Sequence, residues 1–439
     1  MPGYAGLSPL GHTQSQDNMI MRKFLLLTLL LIFSACIVVA QNTDRILDDQ
    51  VRSVKLSVMG APLSMPIVDI KAPGGVLSLE FDHLGDELKD YAYTILHCNR
   101  DWSFSELDQL EYIDGFTEDR ITSIEPSFNT ITQYTHYALR LPNQNVKWSK
   151  SGNYILRITD KEDDSVVMER RFMVVEPQWR IDASLTRTVM VEKSNTHHEI
   201  DFKVVTKNAR ISNAQNDVSA IILQNGRWDN AIGPLKPYIE RADGISFDYQ
   251  DVVVFPAGKE FRFFDIRTFD FRGDHVKAIS DRGDYIDVTL RTDESRFARP
   301  IDFRPDANGR FIIENNNANQ TLLQCDYAKV LFSIAQNMPI DEADVYVFGE
   351  LTDWQLKPEF KMEYSHEARA YYCETVLKQG YYNYQYVVLD HRTGAPDPDG
   401  LEGNWHETGN LYTLLVYFHP FGSRYDRLMG AVTLNSARP

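Results

Sequence analysis

The stretch GYYNYQYVV, residues 380–388, alternates aromatic and polar side chains directly after a glycine. Because side chains alternate between the faces of a β-strand, every second residue from Tyr382 to Val388 shares one face, while Asn383 and Gln385 point outward. The pattern is typical of a strand with one buried face. It predicts a strand of a β-sandwich.

Two earlier stretches repeat this pattern, namely GNYILRI from Gly152 and GKEFRFFDIR from Gly258. The three glycines are each about one domain length apart, which predicts serial copies of one sandwich. In the first copy we expect Asn153 and Arg157 to face outward. In the middle copy the alternation skips a residue at 263–264, which predicts a β-bulge.

The fold class predicted is all-β, with tandem immunoglobulin-like or E-set β-sandwich domains after an N-terminal signal peptide. Prolines and strand patterns place the domains at 45–177, 178–298 and 299–439, the last one E-set-like. A charged, proline-containing stretch at 291–305 links the second to the third. Helical periodicity is nearly absent, so the helix content should fall well below the roughly one-third typical of globular proteins.

Residues 1–40 are predicted to be a signal peptide. The sequence MRK at 21–23 supplies a positive n-region, residues 24–33 an apolar core, and small residues a cleavage site before Gln41. A membrane-spanning helix is the less favoured alternative, because the apolar stretch is short and polar sequence follows it.

The first residues leave two further questions open. Residues 1–18 show no targeting pattern, and translation from Met19 or Met21 would remove them as a mis-assigned start. Cys36 ends the sequence FSAC, which approximates a lipobox with Phe33 where leucine is usual. A lipid anchor at Cys36 is therefore the minority alternative to simple export.

The charge balance excludes some partners. The formal net charge is −17, and hydrophobic residues make up 43% of the chain. Binding to nucleic acid or to an anionic lipid surface needs clustered lysines and arginines, so neither is expected. A basic protein partner stays compatible with this charge.

The three cysteines after the predicted signal peptide do not form a CxxC motif. Cys325 and Cys373 fall in one predicted domain and could form a disulfide in an oxidising compartment, which would leave Cys98 unpaired. Buried free thiols are the favoured alternative.

Motifs for catalysis are absent from the sequence: there is no GxSxG elbow, HExxH pair, phosphate-binding loop or dinucleotide fingerprint. No catalytic, cofactor-binding or metal-binding residue is therefore predicted. The histidines of 197–199 should be solvated loop residues, since neighbours in a strand cannot share one ion. The sequence DPDGLE at 397–402 resembles half of a calcium loop and is predicted to be a polar turn. Asp101 and Glu106 lack the features of a glycosidase pair.

The third predicted domain has a more specific pattern. The sequence VYVFGELTDW at 345–354, followed by the strand at 380–388, resembles the E-set sandwich of glycogen- and starch-binding modules. In that resemblance Trp354 and Tyr384 are candidate carbohydrate-binding residues, since aromatic faces stack on sugar rings. The favoured alternative gives both residues a structural role in the hairpin and the core.

Several longer blocks resemble one family, the type IX secretion system plug proteins of Bacteroidetes. The resemblance extends over nearly the whole chain after the predicted signal peptide. At 418–420 the chain departs from the tyrosine and arginine more usual in the family. The blocks are YTILHCNRDW (93–102), YIDGF (112–116), SFNT (127–130), YTHYALRLP (134–142), SGNY (151–154), RFMVVEP (171–177), FPAGKEFR (255–262) and YFHPFGSRYD (417–426).

This resemblance implies a non-catalytic periplasmic plug that docks at the outer-membrane translocon barrel and seals its periplasmic end. It implies no nucleic acid, no membrane span, no small-molecule substrate and no cofactor, and it assigns no translocon-binding residue. Because the plug must be displaced, a polar interface of moderate size is expected. In the block at 93–102 we expect a structural role, with Trp102 buried and Asp101 bonding backbone amides in a turn.

Two other functions stay open at this point. A carbohydrate-binding protein would use the E-set-like third domain. An adhesion or scaffold protein would use the tandem sandwiches alone. An enzyme is the least favoured class.

Overall fold

Two of the glycine-led stretches form the long central strands expected of them, Gly152–Asp160 and Gly380–Asp390. They belong to a computed structural model that describes residues 43–72, 75–85, 87–206, 211–241, 244–300, 303–318 and 321–437. The predicted signal peptide, the alternative start residues and Cys36 lie outside these described residues.

The first sandwich is built from twelve strands. One sheet has the order β1-β12-β11-β5-β7 with β3 parallel to β12, a second has the order β2-β4-β9-β8, and β6 pairs with β10. The strands are β1 Arg45–Ile46, β2 Val51–Val58, β3 Ile67–Asp69, β4 Leu77–Leu84, β5 Tyr91–Cys98, β6 Ile113–Gly115, β7 Asp119–Arg120, β8 Ser123–Pro126, β9 Tyr134–Leu141, β10 Val146–Trp148, β11 Gly152–Asp160 and β12 Val166–Val175.

The second sandwich combines strands from the middle and the end of the chain. Its sheets have the orders β13-β14-β18-β17, with β19 on β14, and β16-β15-β31-β32. The strands are β13 Arg180–Thr186, β14 His197–Val205, β15 Val218–Gln224, β16 Ile232–Leu235, β17 Ile239–Arg241, β18 Gly244–Ser246, β19 Val254–Pro256, β31 Leu411–Phe418 and β32 Arg427–Asn435.

The third sandwich is one eleven-stranded sheet around a single core. Its order is β20-β29-β26-β27-β28-β25-β22-β21, with β23 on β25 and both β24 and β30 on β29. The strands are β20 Arg262–Asp265, β21 Val276–Asp281, β22 Ile286–Leu290, β23 Asp293–Glu294, β24 Phe311–Ile313, β25 Tyr327–Ala335, β26 Ala343–Phe348, β27 Lys361–Ser365, β28 Ala370–Lys378, β29 Gly380–Asp390 and β30 Pro396–Asp397.

Helices are short throughout the part of the chain that the structure describes. None is longer than four residues, so the prediction of an all-β protein is confirmed. They are α1 Gln109–Tyr112, α2 Ala214–Asp217, α3 Thr321–Gln324, α4 Asp399–Glu402 and the 3-10 turns Glu350–Thr352 and Pro358–Phe360.

The sheets cross one of the predicted domain boundaries in both directions. Strands of 45–177 pair only with one another, but β31 returns from 299–439 to pair with β15, Phe418 opposite Val218. In the other direction, β20, β21 and β22 leave 178–298 to join the eleven-stranded sheet. Whether the three predicted ranges fold as separate units stays a prediction. The sheets themselves exchange strands between the second range and the third.

Three of the four residues predicted to face outward from their strands are buried. Asn153 and Asn383 are fully buried, Gln385 is buried, and Arg157 is half-buried. Asn153 Oδ1 accepts a 2.8 Å hydrogen bond from Tyr417 of the second sandwich, because the sandwiches pack side by side and cover each other's outer faces. The prediction that these residues face solvent was therefore wrong. The alternation of residue types shows which strand face is polar, but a polar face can still be buried when its side chains form hydrogen bonds.

The bulge predicted at 263–264 was also wrong. Strand β20 pairs with β29 in regular register, Phe263 opposite Asn383 and Phe264 opposite Tyr382. Phe264 stacks on the buried Tyr382 and Phe263 on Tyr381, so both faces of this short strand carry aromatic pairs. Gly258 lies before the strand rather than at its start.

Candidate docking surface and the buried contacts between sandwiches

An apolar seam joins the first sandwich to the sheet of β15 and β31. Trp102 is 1% exposed and lies in this seam, which confirms its predicted burial and places it between two sandwiches. Asp101 Oδ1 accepts the Ser103 backbone amide at 3.0 Å, also as predicted. The seam consists of Cys98, Trp102, Ile155, Met173, Val175, Ile221, Leu223, Leu415, Tyr417 and Leu428.

A buried ionic network joins the first sandwich to the third. Lys378 Nζ lies 2.5 Å from Asp82 Oδ2, Tyr327 donates to the same oxygen at 2.6 Å, and His136 Nδ1 lies 2.7 Å from Asp82 Oδ1. Burial alone would raise the pKa of Asp82, but Lys378 and His136 outweigh it and hold that pKa below its usual value.

His136 is held protonated by two carboxylates. Burial opposes the charged imidazolium, yet its hydrogen bonds to Asp82 and Glu80 raise the pKa of His136 to about 9. The fully buried Asp82 carboxylate therefore lies between the Lys378 side chain and the protonated His136.

The three sandwiches meet around a cavity of about 100 Å³. Lys55 pairs with Glu350 there, and Arg170 pairs with Asp353 at 2.9 Å. The cavity is lined by Asp44, Val54, Lys55, Leu56, Met65, Pro66, Arg170, Arg171, Met173, Gly226, Trp228, Arg310, Glu350, Asp353 and Trp354. We call it the junction cavity.

The two carbohydrate-binding candidates do not share a surface. Trp354 lines the junction cavity, where its ring lies 5.7 Å from that of Phe348 and under the Arg227 guanidinium. Tyr384 is fully buried in the core of the third sandwich, and its hydroxyl donates to Asp293 Oδ2 at 2.7 Å. Tyr384 therefore offers no ring face to a sugar, and carbohydrate binding through this pair stays an untested prediction.

The segment predicted to be a polar turn at 397–402 contributes to a buried ion cluster instead. Its last four residues form helix α4, and Glu402 is 2% exposed. Glu402 accepts from Arg262 Nε at 2.9 Å, while Arg262 Nη1 donates to Asp293 at 2.6 Å. The prediction was wrong because a charged residue in a short polar segment can be a long-range ion-pair partner, which local sequence does not reveal.

The histidines predicted to lie in a solvated loop are in strand β14. His198 is buried, with Nδ1 2.8 Å from the Tyr412 hydroxyl and Nε2 bonded to the His406 carbonyl. Burial lowers the pKa of His198 to about 4, so it is neutral. Among the described residues no cluster of three or more His, Cys, Asp or Glu is arranged to hold a metal ion.

The cysteines are free thiols. Cys98, Cys325 and Cys373 are buried and unpaired, in line with the favoured expectation. Burial raises the pKa of each to about 12, so none is an activated nucleophile. Within the described ranges, no helix is long and apolar enough to cross a membrane.

Two linked loops expose large apolar side chains. Phe104, Leu110 and Phe421 are 51%, 79% and 99% exposed. The loops are tied together because the Glu106 amide donates to the Arg424 carbonyl at 3.2 Å and Arg424 pairs with Glu111. We call these loops, 99–114 and 419–426, the end surface.

The end surface is acidic around its apolar side chains. Asp101, Glu106, Asp108 and Asp114 are exposed there, while the exposed Arg424 is already paired. A second bond, Arg100 to Asp426 at 2.8 Å, anchors the base of the loops. The arrangement is a negatively charged surface with apolar tips.

Sequence reasoning did not single out these residues. Phe104, Leu110 and Phe421 carried a signal, since each is an apolar residue within a polar loop sequence. Nothing in the local sequence indicates that Lys378 and Arg310 are buried, because their hydrogen-bond partners lie in distant segments of the chain.

The fold and these surfaces define an all-β protein of interlocked sandwiches with the features of an interaction protein. The family model "Type 9 secretion system plug protein 1st domain" matches residues 51–176. The chain belongs to the type IX secretion system plug protein family. This membership indicates a role with that secretion system in the cell envelope.

One solved structure is similar over most of the chain. A crystal structure of a hypothetical protein from Parabacteroides merdae is 33% identical, with a TM-score of 0.86, covering 90% of this chain and 100% of that one. The C-terminal domain of the AgI/II polypeptide BspA from Streptococcus agalactiae, at 8% identity, covers 87% of this chain and 98% of its own, but its TM-score of 0.16 is too low to indicate a shared fold. No curated protein matches the chain.

Proposed function

We propose that this protein is a non-catalytic plug that docks at the periplasmic end of the type IX outer-membrane translocon and seals it. The match of residues 51–176 to the plug family carries this proposal. It is an envelope protein in this role, held at the outer membrane through its protein partner.

The packing of the sandwiches supports a stopper function. A seal must resist deformation, and here β31 and β32 tie the end of the chain into the second sandwich. The apolar seam and the Asp82–Lys378 pair then fix the first sandwich to the other two. Because each sandwich is packed against the other two, the described residues form a stiff body rather than a chain of hinged modules.

The end surface is the part of the molecule that best fits docking. Its apolar tips, Phe104, Leu110 and Phe421, supply desolvated anchor contacts, and its acidic surroundings favour a basic rim on the barrel. A mixed polar and apolar contact of this kind can dissociate when a substrate arrives, as a plug requires.

A deletion strain that still produces the translocon tests the sealing role. We expect its outer membrane to admit a large hydrophilic dye or antibiotic that the parent strain excludes, because the pore stays open. Re-expression of the chain should restore exclusion. An outer membrane that stays impermeable without the protein would refute the plug assignment.

A pair of matched variants tests the docking surface separately. We expect Phe421→Ser to reduce co-purification with the translocon at least tenfold, since a fully exposed anchor is lost. Phe271→Ser, at a residue 63% exposed in the third sandwich, should leave co-purification unchanged. If both variants reduce co-purification equally, or if neither does, the end surface is not the docking surface.

A further inference from the structure

The junction cavity holds one more cation than it has carboxylates. Its lining contains the cations Lys55, Arg170, Arg171 and Arg310 and the anions Asp44, Glu350 and Asp353. The pairs are Lys55 with Glu350, Arg170 with Asp353 and Arg171 with Asp44. Asp353 is also shared with Lys357. Within the described chain, Arg310 is left without a carboxylate.

Arg310 is buried despite this lack of a counter-ion. It is 6% exposed, and its side chain makes one hydrogen bond, from Nη1 to the Leu63 carbonyl at 3.0 Å. Its Nε is buried and has no partner among the described residues. A buried charge without a counter-ion is unfavourable, so an anion beside Arg310 would stabilise the folded state.

A second unused donor lines the same cavity. Arg170 is 5% exposed and uses its terminal nitrogens on Asp353, but its buried Nε has no partner in the described part of the protein. Burial lowers the pKa of Lys55 against the opposing attraction of Glu350, and the charge of the nearby Arg310 lowers it further, so the Arg310 guanidinium already acts on its neighbours as an excess positive charge. Two guanidinium groups with free donors beside one cavity are the arrangement that binds oxyanions.

We propose that the junction cavity binds one small inorganic oxyanion, phosphate or sulfate, between the guanidinium groups of Arg310 and Arg170. A cavity of about 100 Å³ admits one such ion and excludes a nucleotide or a sugar. The site lies where the first, second and third sandwiches meet, at Met65, Trp228 and Trp354. The bound ion therefore links the first sandwich, through Arg170, to the third, through Arg310, whatever partner the protein has.

Thermal unfolding with added phosphate tests the site. The purified chain is melted at constant ionic strength while chloride is replaced by phosphate. We expect the Tm to change little below Kd and then to rise with the logarithm of the phosphate concentration, because an ion at free concentration L that binds only the folded state stabilises it by RT ln(1 + L/Kd). Calorimetric titration should give one ion per chain. A Tm that does not respond to phosphate or to sulfate would overturn the proposal.

Substitution of Arg310 shows whether the ion binds at this site. Arg310→Met should abolish the phosphate response, and in phosphate-free buffer it should melt no lower than the parent, since it removes an unpaired buried charge. Arg310→Lys keeps the charge without the planar fork and should weaken phosphate binding at least tenfold.

Arg157→Met is the matched control, because Arg157 pairs with Glu169 on the first sandwich outside the cavity. Its phosphate response should equal that of the parent. A response that persists in both Arg310 variants, or that disappears equally in Arg157→Met, would show non-specific binding and refute the site.

Discussion

The first sandwich is joined to its two neighbours by different interactions. Toward the second sandwich the contact is apolar, with Trp102 and Tyr417 at its centre. Toward the third sandwich the contact is ionic, with Asp82 and Lys378 fully buried. Both contacts are made by buried residues, yet the first depends on shape and the second on charge.

The difference indicates which of the two contacts depends on pH and salt concentration. Burial of apolar surface depends little on pH and is not weakened by salt screening. A buried ion pair is stable only while both partners keep their charge, and loss of one partner leaves the other uncompensated. We therefore expect the third sandwich, rather than the second, to loosen from the first when the pH changes.

The largest effect is expected at the apolar seam. Trp102→Ala should lower the free energy of unfolding by about 3–5 kcal/mol, because it leaves a large cavity between two sandwiches. Urea denaturation measures this change. Leu110→Ala, at the exposed end surface, is the control and should stay within about 0.5 kcal/mol. A loss below about 1 kcal/mol in Trp102→Ala would show that the seam contributes little.

A slightly smaller effect is expected at the ionic contact. Lys378→Met should cost about 3 kcal/mol, because Asp82 keeps its burial and loses its closest cation. The double variant Asp82→Asn with Lys378→Met should recover part of that loss, since no charge is left unpaired. Additive losses in the double variant would contradict a coupled pair.

The pH dependence of stability separates the two contacts. The pKa of His136 is about 9 in the folded protein and about 6.5 in the unfolded chain. A raised folded pKa means that the stabilisation is complete below pH 6.5 and is lost as the pH rises through 9. We expect a loss of no more than about 3.4 kcal/mol, the equivalent of the pKa shift of His136, as the pH rises through and beyond this window.

His136→Gln supplies the control for that measurement. Burial also raises the pKa of Glu260 to about 7, and this too lowers stability with rising pH, between about pH 4.5 and 7. The informative quantity is therefore the difference between parent and His136→Gln from pH 7 to 9.5. A difference that does not change over that range would mean that His136 is not a stabilising cation.

The comparison also shows what the sequence could predict. Alternation after Gly152 and Gly380 identified two long strands, and the all-β class followed from the absence of helical periodicity. The burial of Trp102 was predictable because a large aromatic residue beside a strand end rarely stays exposed. These predictions rest on the sequence close to each residue, which is sufficient to identify strands and buried apolar side chains.

The contacts that the sequence did not reveal are the non-local ones. The burial of Asn153 depends on Tyr417, and the burial of Lys378 on Asp82, across some three hundred residues. Strand β31 lies within 299–439, the range predicted for the third sandwich, but it pairs with β15 of the second. No periodicity within one segment specifies a partner so distant, so polar residues were expected to be outward.

The smallest effect on stability, with a large effect on binding, is expected at the end surface. Glu106→Lys reverses an exposed charge that has no part in either buried contact, so the free energy of unfolding should change by less than about 0.5 kcal/mol. The same change should weaken co-purification with the translocon, because a basic rim on the barrel would then face a lysine instead of a glutamate. This loss of binding should be smaller at high salt, because salt screens the repulsion between the two positive charges. Glu240→Lys, on an exposed strand of the second sandwich, is the matched control and should leave co-purification intact. If both reversals weaken binding equally, the net charge of −17 rather than the end surface attracts the partner.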